Sequence, residues 1–187
     1  MVIERQALEP NDSVLILIDP QEKLMPFVKN HQQVTNNMVL LIETAKLLNL
    51  PIVATKQYSK GLGNIVPPIK DSIREYAHFI HDKLSFDCFQ SDAFADALMG
   101  FRTILVAGIE AHICVTQTVL SALRADYVVH VASDAVSSRT ELDWKIGLNR
   151  MERAGAIRSS SEMITYELLK EAGTPEFKKL LPLLRDR

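Results

Sequence analysis

The 187-residue sequence has only two cysteines, Cys88 and Cys114, and no uninterrupted apolar run longer than Val14–Ile18 or Met38–Ile42. Two thiols are too few for a secreted disulfide framework. Runs of that length fall far short of the ~20 residues that span a bilayer. No sign of charge dominates either: 21 Lys plus Arg against 23 Asp plus Glu leave a net −2. That balance disfavours nucleic acid as the main partner, because phosphate binding rests on clustered basic side chains. The start, Met1-Val-Ile-Glu-Arg-Gln6, lacks the basic residues, apolar stretch and small-residue cleavage site of a secretory signal, and Glu4, Glu9 and Asp12 count against an Arg-rich transit peptide. No Gly-x-Gly-x-x-Gly joins a strand to a helix, and no Gly-x-Ser-x-Gly elbow is present. The expectation is a cytoplasmic protein with free thiols and neither membrane nor nucleic-acid partners.

What the sequence does have is apolar material in an alternating pattern. Apolar residues make up 47%, and the length suits one domain over residues 1–187 whose core needs no staple. Val14–Ile18 is a β-branched-rich run of the kind buried on both faces of a sheet. Val34, Met38, Leu41, Ala45 and Leu48 recur at steps of four and three, a helix stripe, which Asn49 and Pro51 stop. Ile52–Thr55 predicts a second strand, followed by a turn-rich loop containing Gly61, Gly63, Asn64, Pro67 and Pro68. A third strand is expected near Ala77–His81, a helix over Phe94–Met99 and a fourth strand over Thr103–Ala107. A helix over Ile113–Ala125 and a fifth strand over Tyr127–Ala132 come next. Thr140 caps a helix with Glu141 and Asp143 in its first turn, and Gly155 closes it. Ala156–Ser159 reads as a sixth strand, Ser161 as the cap of a further helix, and the tail as a short helix around Leu180–Leu184. Strand and helix alternate six times, which implies a parallel sheet with helices on both faces.

In such sheets ligands bind beyond the carboxyl ends of the strands, near a switch in strand order. Asp19 directly follows the first strand, His81, Asp82 and Lys83 follow the third, and Cys114 opens the helix after the fourth. A thiol at a helix N-terminus near a cation has its pKa lowered, so Cys114 is the candidate nucleophile and Asp19 the candidate general base and acid.

Leu17-Ile-Asp19-Pro-Gln21, Asp82-Lys83-Leu-Ser-Phe86 and Val106-Ala-Gly-Ile-Glu-Ala-His-Ile-Cys114-Val resemble the three signature segments of isochorismatase-like cysteine hydrolases. Gln57-Tyr-Ser-Lys-Gly-Leu-Gly63 is similar to the small isochorismatase-domain subgroup. The likeness extends over roughly Val14 to Leu169. It implies a Rossmann-like αβα sandwich with strand order 3-2-1-4-5-6 and a catalytic triad of Asp19, Lys83 and Cys114. It also implies a cis peptide at Ile109–Glu110, with backbone N–H groups of Glu110 or Ala111 and of Cys114 as the oxyanion hole. Gln21, Tyr58, Phe86 and His112 are candidate substrate contacts, whereas Phe89 reads as core packing and Cys88 as an ordinary thiol. Metal-dependent amidases of the group carry Asp-x-His after the second strand; here Thr55-Lys-Gln-Tyr58 stands there. His31, His78, His81, His112 and His130 make no ligand spacing, so neither metal nor cofactor is expected. The resulting reading is a hydrolase of a small amide-, carbamoyl- or ester-like molecule that forms homo-oligomers. The alternative is a non-catalytic or redox-sensing protein on the same fold.

Overall fold

In a computed structural model residues 7–185 are described, so the signal-peptide reading of residues 1–6 lies outside them. The first strand, β1 (Ser13–Ile18), is buried throughout. Its side chains alternate between two cores: Leu15 and Leu17 enter one, Val14, Ile16 and Ile18 the other. That division is the direct consequence of the two-residue period of a strand.

The chain continues through α1 (His31–Leu47), β2 (Ile52–Gln57), α2 (Ser59–Leu62), α3 (Pro67–Ile73), β3 (Phe79–Lys83), α4 (Asp92–Asp96) and β4 (Thr103–Ile109). It then forms α5 (Thr116–Arg124), β5 (Val128–Ser137), α6 (Glu141–Arg153), β6 (Ile157–Ser159), α7 (Ser161–Leu169) and α8 (Pro175–Arg185). The six strands form one parallel sheet in the order β3-β2-β1-β4-β5-β6. One core lies between the sheet and α1, α3 and α7; the other lies beneath α4, α5 and α6. The expected three-layer αβα arrangement and strand order are present. Because the chain grows outward from β1 to β3 and then returns to β4 on the other side, the switch in strand order falls between β1 and β4.

Several local expectations need correction. The turn-rich loop contains α2 and α3, and Pro67 and Pro68 start α3 because proline suits the first helical turn. The third strand begins two residues later than expected and runs through Lys83, paired along β2 from Val53↔Phe79 to Gln57↔Lys83. Strand β5 continues five residues past Ala132, extending along β4 after a register shift. Ser160, not Ser161, caps α7, its hydroxyl accepting from the Met163 N–H. The tail helix is longer than expected, and Leu180 packs inward against Leu40 and Leu169. Thr140 caps α6 as expected, accepting from the Asp143 N–H at 3.1 Å, and Gly155 adopts φ +114° behind it.

Candidate active site

The site forms where β1 and β4 part. Asp19 follows β1 in a left-handed conformation (φ 51°), which aspartate tolerates better than most residues. Gly108, one residue before the end of β4, has φ +135°, and a Cβ there would overlap the backbone of Ile18. Only glycine lets the two strands approach this closely beside Asp19.

After β4 the Ile109–Glu110 peptide bond is cis. The next five residues, Ala111–Val115, form a π-helical turn leading into α5, where a regular helix was expected from Ile113. The Glu110 carbonyl accepts from both Ile113 and Val115. The Glu110 carboxylate is tied to Arg139 by an ion pair at 3.0 Å and by the Arg139 backbone N–H. Gly147 of α6 lets that helix lie against the turn: a Cβ there would stand 2.9 Å from the Ala111 carbonyl oxygen.

Three sequence-distant groups meet here. Lys83 Nζ donates to Asp19 Oδ2 at 2.7 Å, and both residues are buried. The same ammonium donates to Gln57 Oε1 at 2.7 Å and to the Ser85 carbonyl at 3.2 Å, so all three of its protons are engaged. Thr55 donates its hydroxyl to Asp19 Oδ1 at 2.7 Å. Cys114, 7% exposed, faces both the Asp19 carboxylate and the Lys83 ammonium.

Burial pulls Lys83 down, but Asp19 and then the two thiols more than offset it, and its pKa lies above the ordinary lysine value. Cys114 is driven the other way from the sequence expectation. Burial first, then the Asp19 charge, raise its pKa, and Lys83 only partly opposes them. The helix end was expected to leave a ready thiolate; desolvation outweighs it. Burial and the Asp19 charge thus hold the Cys114 proton more tightly than an ordinary thiol holds its own.

The other candidates divide. Gln21, a candidate substrate contact, is wholly buried. Its Oε1 accepts from the Gln57 N–H at 2.6 Å, and its Nε2 donates to the carbonyls of Gln57 and Gly63. It clamps the ends of β1 and β2 together. Tyr58 and Phe86 are half exposed on the rim beside Lys83; the Tyr58 N–H donates to the Lys83 carbonyl. His112 bonds Ser138 Oγ at 2.9 Å and stays half-buried two residues before the thiol. Phe89 packs edge-on against Phe94. Cys88 is fully buried, and burial pushes its thiol up to about 11.

Thr55 and Gln57 are partners of Asp19 and Lys83 that sequence reasoning missed. No local spacing signalled them; it is the pairing register, a tertiary feature, that sets Gln57 beside Lys83. A cavity of about 310 Å³ lies elsewhere, at the carboxyl end of β5 between Lys29, Ser133 and Trp144. Its lining includes none of Asp19, Lys83 and Cys114. Among the described residues no cluster of three His, Cys, Asp or Glu side chains is spaced to hold a metal, and no helix is long and apolar enough to cross a membrane.

This sheet, its switch point and the three converging side chains define a class, and comparison with known proteins gives it a family. The chain belongs to the isochorismatase family: the Isochorismatase domain model matches residues 13–163. It is 34% identical over 183 residues to the secreted isochorismatase effector Isc1 of Phytophthora sojae, covering 96% of this chain and 87% of that one. It is 33% identical over 181 residues to isochorismatase domain-containing protein 2 of Rattus norvegicus, covering 95% and 83% respectively. Among solved structures it resembles the MAR1 ribonuclease of Caenorhabditis elegans, with a TM-score of 0.89 and 35% identity over 96% of this chain and 93% of that one.

Proposed function

We propose that this protein is a metal-independent cysteine hydrolase of a small amide-, carbamoyl- or ester-like molecule, working through Asp19, Lys83 and Cys114. The observation that carries the reading is the convergence of a carboxylate, an ammonium and a thiol from three separated segments, with Lys83 and Asp19 at 2.7 Å and Cys114 facing both.

In the proposed reaction the Cys114 sulfur attacks the substrate carbonyl carbon as its proton passes to Asp19. Backbone N–H groups of Glu110 or Ala111 and of Cys114 hold the oxyanion. One such donor is typically worth about 3–4 kcal/mol in the transition state. Collapse expels the leaving group, which takes the proton from Asp19 and leaves a thioester on Cys114. Asp19 then takes a proton from water, and the resulting attack releases the acid and restores the thiol. Lys83, its three donors engaged by protein oxygens, acts through charge, keeping Asp19 ionised and favouring the thiolate. Tyr58, Phe86 and His112 border the site as substrate contacts.

The carboxylate and ammonium converging on Cys114 favour this reading over redox sensing, which needs no general acid or base beside the thiol. The ribonuclease name of the C. elegans relative brings in RNA as a competitor. The near-neutral charge of this chain speaks for the small molecule. The same reading has the chain self-associate and work in the cytoplasm; the secreted relative makes localisation of a tagged full-length protein a necessary check. The function test is a panel of amides, carbamates, ureas, esters and an RNA oligonucleotide. Hydrolysis of a small-molecule member that falls at least about 10³-fold in Cys114→Ala and Asp19→Asn is expected, with an acyl adduct on Cys114 by mass spectrometry. Turnover that survives Cys114→Ala, or cleavage of RNA alone, overturns it.

A further inference from the structure

Strand β2 lies between the strand that ends in Lys83 and the strand that leads to Asp19. The lysine side chain must therefore cross β2 to reach its carboxylate. Residues two apart on a strand share a face, and on that face β2 presents Thr55 and Gln57. Thr55 gives a proton to the anion: its hydroxyl donates to Asp19 Oδ1 at 2.7 Å and accepts from the Asp19 N–H at 3.3 Å. Gln57 takes a proton from the cation: its Oε1 accepts from Lys83 Nζ at 2.7 Å. The amide cannot easily turn round. Its Nε2 donates to the Leu84 carbonyl at 2.7 Å, and its backbone is clamped by Gln21. A hydroxyl donor on the carboxylate and an amide acceptor on the ammonium each favour the charged form of their partner.

From this we infer that Thr55 and Gln57 are positioning residues that set where the triad's protons rest, holding Asp19 and Lys83 as an ion pair and Cys114 as a thiol until substrate arrives. The inference rests on the Asp19–Lys83–Cys114 reading above. It adds a direction to each residue. Without the Thr55 hydroxyl, Asp19 binds a proton more readily, and the tautomer with protonated Asp19 and Cys114 thiolate gains population. Without the Gln57 acceptor, the Lys83 ammonium is less well held, and the thiolate loses its neighbouring cation at lower pH. The two losses push Cys114 reactivity in opposite directions.

The test is the rate of Cys114 alkylation by iodoacetamide from pH 6 to 10, followed by peptide mass spectrometry with an added cysteine peptide as reference. Thr55→Val is expected to alkylate about ten-fold faster than wild type near pH 7, about the effect of one hydrogen bond to a charged group. Thr55→Ser is expected to restore the wild-type profile. Gln57→Met is expected to alkylate several-fold more slowly, with its rise moved to higher pH. Unchanged profiles, the same shift in both variants, or a Thr55→Ser profile like that of Thr55→Val would overturn the inference. If Gln57→Met fails to fold, the Thr55 pair decides alone, because valine and serine are each close in size to threonine. Alkylation needs no turnover, so a protein that hydrolyses nothing in the panel still reports on the roles of Thr55 and Gln57.

Discussion

At the residue scale, what distinguishes the site is that burial sets the protonation states and neighbours then correct them. Cys114 illustrates this, since the Lys83 charge only partly opposes desolvation and the Asp19 charge. His130 is a second case, away from the triad. It sits on β5, buried, with Nδ1 3.3 Å from Ser159 Oγ and Nε2 without a partner among the described residues. Burial lowers its pKa below the ordinary value of 6.5, and the Glu167 charge opposes this only in part. The folded protein thus refuses a proton that the unfolded chain accepts. The stability associated with neutral His130 is complete above about pH 6.5 and declines as pH falls from there towards the folded pKa. Urea unfolding at pH 7.5 and 5.5 is expected to show wild type losing stability across that window and His130→Leu losing less. Equal losses in both proteins contradict it.

At the scale of elements, the site depends on how closely β1, β4 and α6 approach one another. Gly108 permits the β1–β4 contact, and Gly147 permits α6 to rest on the turn carrying Cys114. Gly108→Ala combines a disfavoured φ with overlap against the Ile18 backbone, which cannot retreat as a flexible side chain would. A loss of about 2–3 kcal/mol in urea unfolding is expected, together with weaker activity because Asp19 follows Ile18 directly. A variant as stable as wild type would show that the strands can separate without strain. The loop after β3 is held just as firmly. Asp87 accepts from Ser121 Oγ at 2.7 Å, and the Cys88 N–H donates to Thr118 Oγ1 at 3.1 Å. These bonds fix the segment whose Ser85 carbonyl holds Lys83.

At the scale of the whole molecule, the question is what covers the surface that the two cores leave over. In the tail helix Leu180 turns inward and closes a small third cluster with Leu40 and Leu169. Helix α6 instead leaves Leu142 and Ile146 more than half exposed, one turn apart on the same face. In water such a pair favours burial against a second copy. Light scattering across the micromolar range is expected to give a mass of at least a dimer, falling towards the monomer in Leu142→Lys/Ile146→Lys. A monomer throughout contradicts self-association.

The alternation of buried runs and amphipathic stripes is local, so the six strands, the principal helices and the parallel class were legible in the sequence alone. The motifs around Asp19, Lys83 and Cys114 were legible for the same reason, because each is contiguous. Three-dimensional packing decided the rest. Local spacing does not show that the β1–β2 junction encloses Gln21, and Gln57 reads as a loop residue until pairing sets it beside Lys83. The protonation of Cys114 turned on how much water the fold removes from it. Desolvation, register and close approach belong to residues far apart in the chain, and short spacings do not encode them.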